Sequence, residues 1–230
     1  MNISFKNMNF FIIQVPESRF SVSHAEEAYK SVKNFYDNVE IYNGYDPKRA
    51  AKFLKDKSIS YRPIHKNIYE WSLEKAKRPG MLGSFASHYS LWELCLKLDE
   101  TICILEHDAR MFSPIIHEDF DDGILQINIE NSKSPSRLHY QLNYKNDTKT
   151  SIKECYFVKN GIPLAHGLGA YLIKPKEAKI LVDLKAYGPA DHIVNGIFFK
   201  IYRQIPPSVY LVNDGTSLTR FYEQDGERFF

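Results

Sequence analysis

Glu106-His107-Asp108 stands directly after the apolar run Thr101-Ile102-Cys103-Ile104-Leu105. Two carboxylates at the end of a rigid strand suit a hard divalent cation. Mg²⁺ and Mn²⁺ prefer oxygen ligands and keep part of their coordination shell for phosphate and water. If strand geometry continues through the triplet, Glu106 and Asp108 point to one face and His107 to the other. Asp108 is then the expected direct ligand and Glu106 a second. A Glu-x-Asp triplet alone fits an ordinary turn equally well, so the elements around it decide its meaning.

Those elements alternate between strand-like and helix-like, which predicts an α/β sheet with covering helices. Phe10 to Val15 reads as a buried first strand, and Ser21 to Phe35 carries helical spacing with Val22, Ala25, Ala28, Tyr29 and Val32 on one face. Val39 to Tyr42 is a second strand, and Pro47 suits the first turn of the next helix. Residues 58–67 show no period and read as loop. Met81 to Leu98 is the clearest helix, with Leu82, Phe85, Tyr89, Trp92 and Leu96 toward the core. The run from Thr101 to Leu105 reads as a strand buried on both faces. Polar residues past the C-terminal end of such a strand fall where ligands bind in α/β sheets. Further strands are expected at 124–129, 169–173, 198–201 and 209–212, with a helix from Pro175. Residues 131–153 are polar and aperiodic, which predicts a flexible flap.

A net charge of +2 does not by itself demand a nucleic-acid or membrane partner. Its distribution is uneven, because Lys48, Arg49, Lys52, Lys55, Lys57, Arg62, Lys66, Lys75, Lys77 and Arg78 crowd one stretch. That pattern fits a solvated helix face or a surface for a polyanion. Cys95, Cys103 and Cys155 lack metal-ligand spacing; the first two sit in apolar runs and read as core. Sparse, unpaired cysteines and the absence of a secretion signal or a long apolar span place the protein in a cytoplasm, without a membrane partner.

Gly83-Ser84-Phe85-Ala86-Ser87-His88, then Trp92, then Ile104-Leu105-Glu106-His107-Asp108 resembles glycosyltransferase family 25. That family joins a Gly-x-x-x-Ser-His helix to an apolar strand ending Leu-Glu-Asp-Asp. The resemblance continues through Gly167-Leu168-Gly169-Ala170-Tyr171-Leu172-Ile173 and reaches Gly188-Pro189-Ala190-Asp191. It covers about residues 10 to 215 and departs at His107, where the family has Asp. The Glu-His-Asp-Ala form is similar to short glycosyltransferases of tailed phages, some of which decorate hydroxymethylated cytosine in DNA.

The resemblance implies a single GT-A-like α/β domain, with a Rossmann-like mixed sheet flanked by helices. Residues 1–110 would form the nucleotide-sugar half. Residues 111–230 would form the acceptor half, with a flexible segment at 131–153. It further implies a UDP-sugar donor, Mn²⁺ or Mg²⁺, and transfer with inversion. Asp108, Glu106 and His192 are the candidate metal ligands. Gln14, Val15 and Pro16 would line the base pocket through backbone groups, and Arg19 would meet the diphosphate or remain solvated. Ser87, His88, Glu106, His166 and Gly167 complete the candidate donor site, with Glu106 also placed to hold the ribose; a satisfied histidine at the helix–strand junction fits His88 equally. Asp191 is the candidate general base, because inversion needs a group that takes the acceptor proton; an N-cap role fits its position equally. His192 and Asp214 are reserve candidates. The favoured acceptor is 5-hydroxymethylcytosine in double-stranded DNA of a phage, within the host cytoplasm. The alternatives are a lipooligosaccharide or other glycan, and an inactive sugar-nucleotide or nucleic-acid binding module.

Overall fold

The computed structural model describes residues 8–61, 78–116, 122–129, 151–154, 158–159, 161–165 and 167–212. In chain order the first half gives β1 (Asn9–Gln14), α1 (Arg19–Lys33), β2 (Val39–Asn43), α2 (Pro47–Asp56), β3 (Ser60–Tyr61), α3 (Pro79–Leu98), β4 (Ile102–Leu105) and β5 (Ala109–Met111). The second half gives β6 (Ile124–Gln126), β7 (Asn128–Ile129), β8 (Ser151–Glu154), β9 (Val158–Lys159), β10 (Ile162–Pro163), β11 (Ala170–Ile173), α4 (Pro175–Asp183), β12 (Ala186–Tyr187), α5 (Ala190–Ile193), β13 (Ile201–Ile205) and β14 (Val209–Leu211).

One seven-stranded sheet runs β2-β1-β4-β11-β6-β13-β8. The pairs β2–β1, β1–β4 and β6–β13 are parallel, while β11 is antiparallel to both β4 and β6. The sheet is therefore mixed and joins strands from both halves of the chain, as expected for a GT-A-like α/β domain. Strand alternation sorts the core. Phe11, Ile13, Ile104 and Tyr171 face α3 and its neighbours, whereas Phe10, Ile12, Cys103, Leu105 and Leu172 face α1 and the small β5-β14-β7 sheet.

α3 lies between α2 and α4 over the sheet and also touches α5. That explains why burial extends beyond the predicted stripe: Ala86, Ser87, His88, Leu91 and Cys95 are buried along with Leu82, Phe85, Tyr89 and Trp92. Leu96, expected in the core, is only partly buried. The helix ends where Asp99 turns left-handed at φ 53° and its N–H bonds the Cys95 carbonyl.

Several boundaries differ from expectation for local reasons. α1 begins at Arg19 because the Ser18 hydroxyl accepts the Ser21 N–H at 3.2 Å and caps the helix. The strand expected at 124–129 breaks at Ile127, whose N–H bonds Ala170 while its carbonyl accepts from Ser208 and Val209. The chain there passes from the large sheet to the small one. The strand expected at 198–201 starts only at Ile201, since the Asn195 side chain accepts the Ile197 N–H and its carbonyl the Phe198 N–H, holding a turn. Ser60-Tyr61, expected to be loop, pairs with Ala186-Tyr187. Residues 151–153, expected within the flap, form β8 on the edge of the large sheet; residues 131–150 lie outside the described residues. Cys95 and Cys103 are buried and free, and burial pushes the Cys95 thiol up to about 12. Among the described residues no helix is long and apolar enough to cross a membrane.

Candidate functional site

The parallel strands β2, β1 and β4 finish on one edge of the sheet, at Asn43, Gln14 and Leu105. Strand geometry does not continue past Leu105. Glu106 still bonds the Gly169 carbonyl through its N–H at 2.8 Å, but Ala109 N–H then closes on the Glu106 carbonyl at 3.0 Å. Residues 106–109 are thus a turn, and the expectation that Glu106 and Asp108 share a strand face fails for that reason. The Glu106 side chain instead reaches α3, with Oε1 3.5 Å from Ser84 Oγ and 3.4 Å from His88 Nε2. Glu106, His107 and Asp108 are all half-buried at the sheet edge.

His107 faces away from α3, toward the start of α1. Its ring lies 5.7 Å from Phe20 and 6.2 Å from His24, edge-on to both. Below it the buried Arg110 donates to the His107 carbonyl at 2.9 Å and the Ala109 carbonyl at 3.0 Å. Its other nitrogen reaches Glu27 and lies 3.3 Å from His24 Nδ1. The hydrogen bond and charge of Arg110 hold the Glu27 carboxyl below the ordinary carboxylate range. A charge this buried needs a partner and several hydrogen bonds. Arg110 therefore ties the acid turn to α1, while Glu106 ties it to α3. The Asp108 carbonyl accepts the Val212 N–H at 2.9 Å, which anchors the turn from a third side.

The loop after β1 is differently equipped than expected. The Val15 N–H donates to Ser21 Oγ at 2.9 Å, its carbonyl accepts from Ser18, and the Gln14 carbonyl accepts from Gly44. These backbone groups are engaged within the protein, and Pro16 has no N–H. What Gln14 offers is its side chain, which donates to Asn43 Oδ1 at 3.2 Å across the ends of β1 and β2. Arg19 is exposed at the first position of α1, beside this edge.

Ser87 is fully buried. Its hydroxyl donates to the Gly83 carbonyl at 2.7 Å and accepts the Tyr45 N–H at 2.9 Å. It locks the loop after β2 to α3. Gly44 and Gly83 permit that contact: a Cβ on Gly83 would stand 2.5 Å from the Tyr45 carbonyl oxygen, and one on Gly44 2.6 Å from Ser87 Oγ. His88 is also buried, between Tyr171 and Glu106.

On the far side of β4, Gly167 takes a left-handed φ of 63°. Its carbonyl accepts from Gln126 at 3.1 Å and from Asn128 at 2.9 Å, which fixes the loop facing Glu106. Gln126 in turn accepts from Arg203 at 3.0 Å.

Asp191 lies on the one-turn helix α5, whose N-cap is Pro189 without a side-chain cap bond, so the N-cap role is not the one Asp191 fills. Its carboxylate is 3.8 Å from Nε2 of the buried His192, too long for a hydrogen bond. His192 thus sits on a separate element from the acid turn, and among the described residues no three His, Cys, Asp or Glu side chains gather as a metal cage. His166 and Asp214 lie outside the described residues. Reasoning from sequence missed Glu27, Arg110, Gln126, Asn128 and the Tyr171 hydroxyl. Arg110 and Tyr171 carried a signal, since a polar group inside an apolar run must find a buried partner.

A family model described as glycosyltransferase family 25 (LPS biosynthesis protein) matches residues 27–194. The chain is similar to a glycosyltransferase 25 family member of Anopheles gambiae, 29% identical across 47% of this chain and 20% of that protein. A counterpart in Aedes aegypti is 28% identical with the same coverage. The chain thus spans about a fifth of the length of these relatives. The matched span runs from the middle of α1 through α5 and takes in the acid turn, α3 and Asp191; the chain belongs to glycosyltransferase family 25.

Proposed function

We propose that the protein is a metal-dependent inverting glycosyltransferase that moves a sugar from a UDP-sugar to a hydroxyl acceptor. The observation that carries this reading is the turn at 106–109, clamped by α1 and α3 at the edge where the parallel strands end. The oxygen donors of Asp108 and Glu106 fit Mn²⁺ or Mg²⁺, which needs few protein ligands when phosphate and water complete its shell. A bound cation would neutralise charge on the departing diphosphate. Asp108 is the direct ligand in this reading. Gln14 and Arg19 meet the nucleotide and its phosphates, and the Gly167 loop borders the sugar. Asp191 takes the acceptor proton as the new C–O bond forms and the bond to the diphosphate breaks. Residues 1–110 form the nucleotide-sugar half and residues 111–230 the acceptor half.

For the acceptor, the family's description as an LPS biosynthesis protein supports a saccharide hydroxyl. A second reading, 5-hydroxymethylcytosine in double-stranded DNA, is supported by the exposed Lys48, Lys52 and Lys55 on α2. Arg49 and Lys57 of the same stretch are already paired, with Asp46 and Glu17 and with Glu93. The test supplies UDP-sugars and Mn²⁺ with a lipooligosaccharide core, hydroxymethylated DNA or unmodified DNA, and follows mass gain. Sugar on the saccharide supports the first reading, and sugar on hydroxymethylated DNA the second. No transfer and no donor hydrolysis would leave a binding module and overturn the enzyme.

A further inference from the structure

A buried chain of polar groups leads from the core of α3 to Glu106. Trp92 Nε1 lies 2.9 Å from the Tyr171 hydroxyl, and that hydroxyl lies 2.9 Å from His88 Nδ1. His88 Nε2 lies 3.4 Å from Glu106 Oε1. Trp92, Tyr171 and His88 are essentially inaccessible, at 0%, 0% and 1% exposure. Water cannot replace the two inner links, Trp92 to Tyr171 and Tyr171 to His88.

The direction of this chain follows from what each group can do. An indole N–H donates and never accepts. The Tyr171 oxygen therefore accepts from Trp92, and its own proton has His88 Nδ1 as its partner. Burial pushes the Tyr171 phenol well above its ordinary range, so the proton stays on the oxygen. A ring whose Nδ1 accepts carries its proton on Nε2. That N–H points at Glu106 Oε1, where the Ser84 hydroxyl also arrives from α3 at 3.5 Å. Both contacts fall on the same oxygen. Those contacts leave Oε2 outside the pair, on a side chain that is 35% exposed.

We propose that Trp92, Tyr171 and His88 form a positioning relay that fixes His88 as the Nε2–H tautomer and turns Glu106 so that a single oxygen, Oε2, meets the nucleotide-sugar donor. The three residues act through Glu106 and touch no ligand. The idea rests on the donor-site reading of the acid turn, but its first test does not. It also gives Tyr171 a reason to interrupt a strand otherwise made of Ala170, Leu172 and Ile173.

Two measurements on the full chain test it. Side-chain ¹⁵N NMR of His88 in the wild type should show a protonated Nε2 and a bare Nδ1; in Tyr171→Phe the ring should lose that single-tautomer signature. A protonated Nδ1 in the wild type would overturn the relay whatever the protein's activity. The second measurement is a double-mutant cycle on UDP-sugar affinity, read by calorimetry. Tyr171→Phe should weaken binding about tenfold, the scale of one hydrogen bond to a charged group. In a Glu106→Gln background the same substitution should change little, because the group it positions is already altered. His88→Gln, which keeps an N–H, should bind more tightly than His88→Ala. Equal losses from Tyr171→Phe in both backgrounds would overturn the proposal. Wild-type protein that binds no UDP-sugar but shows the expected tautomer would instead remove the donor-site reading and the ligand role of Oε2, leaving the tautomer relay.

Discussion

At the scale of single residues, the acid turn separates three acidic or basic side chains by what each one touches. Glu106 is held from behind by α3, and His107 packs edge-on toward α1. Asp108 follows with its carbonyl tied to Val212. At the centre of the turn stands an imidazole packed among Phe20 and His24, so the proposed metal ligand is its neighbour Asp108. Asp108→Asn should therefore abolish transfer while leaving the melting temperature nearly unchanged, as measured by turnover and thermal unfolding side by side. Asp191→Ala should lower turnover by about 10²-fold, the usual scale for a general base, with donor affinity little altered. A matching loss of donor affinity would move Asp191 into the donor site. The location of the acid turn was readable because an apolar run stops abruptly before it. The partner of His88 was not, because Tyr171 is 83 residues away in the chain. The internal bonds of Ser87 were hidden for a similar reason: its two partners are a helix carbonyl and the backbone of a distant loop.

At the scale of elements, α3 is the part on which the site is mounted. It carries Ser84 and His88 beneath Glu106, and Ser87 against the loop after β2. Gly83→Ala should be disruptive, because the new methyl would meet a backbone oxygen that cannot rotate away. A loss of about 1–3 kcal/mol is expected from such overpacking and is measurable by urea unfolding. α2 offers a pH test. Asp46 caps it, accepting the Lys48 and Arg49 N–H groups. Burial would raise its carboxyl, but the hydrogen bonds from Arg49 and Lys48 and the Arg49 charge outweigh it and hold the group below its ordinary 3.8. A depressed folded value means the stabilisation is fully present above 3.8 and fades as pH falls through the lower folded value. Asp46→Ala should then cost about 1 kcal/mol at neutral pH, the scale of a lost cap. The difference from wild type should shrink in acid. A constant difference across that range would show that the cap's charge contributes nothing. Of the elements, α3, β4 and β11 were legible from periodicity and apolar runs. The β3–β12 pair was not, since two-residue strands have no period to read.

At the scale of the molecule, one sheet unites the two proposed halves, with β2, β1 and β4 on one side and β11, β6, β13 and β8 on the other. The antiparallel β11 is the seam, and its leading loop faces Glu106 across it. The alternation of strand and helix forecast the α/β class, but the order of the strands was beyond reach, because pairing depends on contacts far apart in sequence. In the proposed function, the turn at the end of β4 binds the donor's diphosphate through a divalent cation held by Asp108. Calorimetric titration of UDP into wild-type and Asp108→Asn protein, with Mn²⁺ and with EDTA, tests it most directly. Wild-type binding should require Mn²⁺ and be lost in Asp108→Asn; UDP binding of equal strength in EDTA, or in the variant, would rule out the metal-held diphosphate.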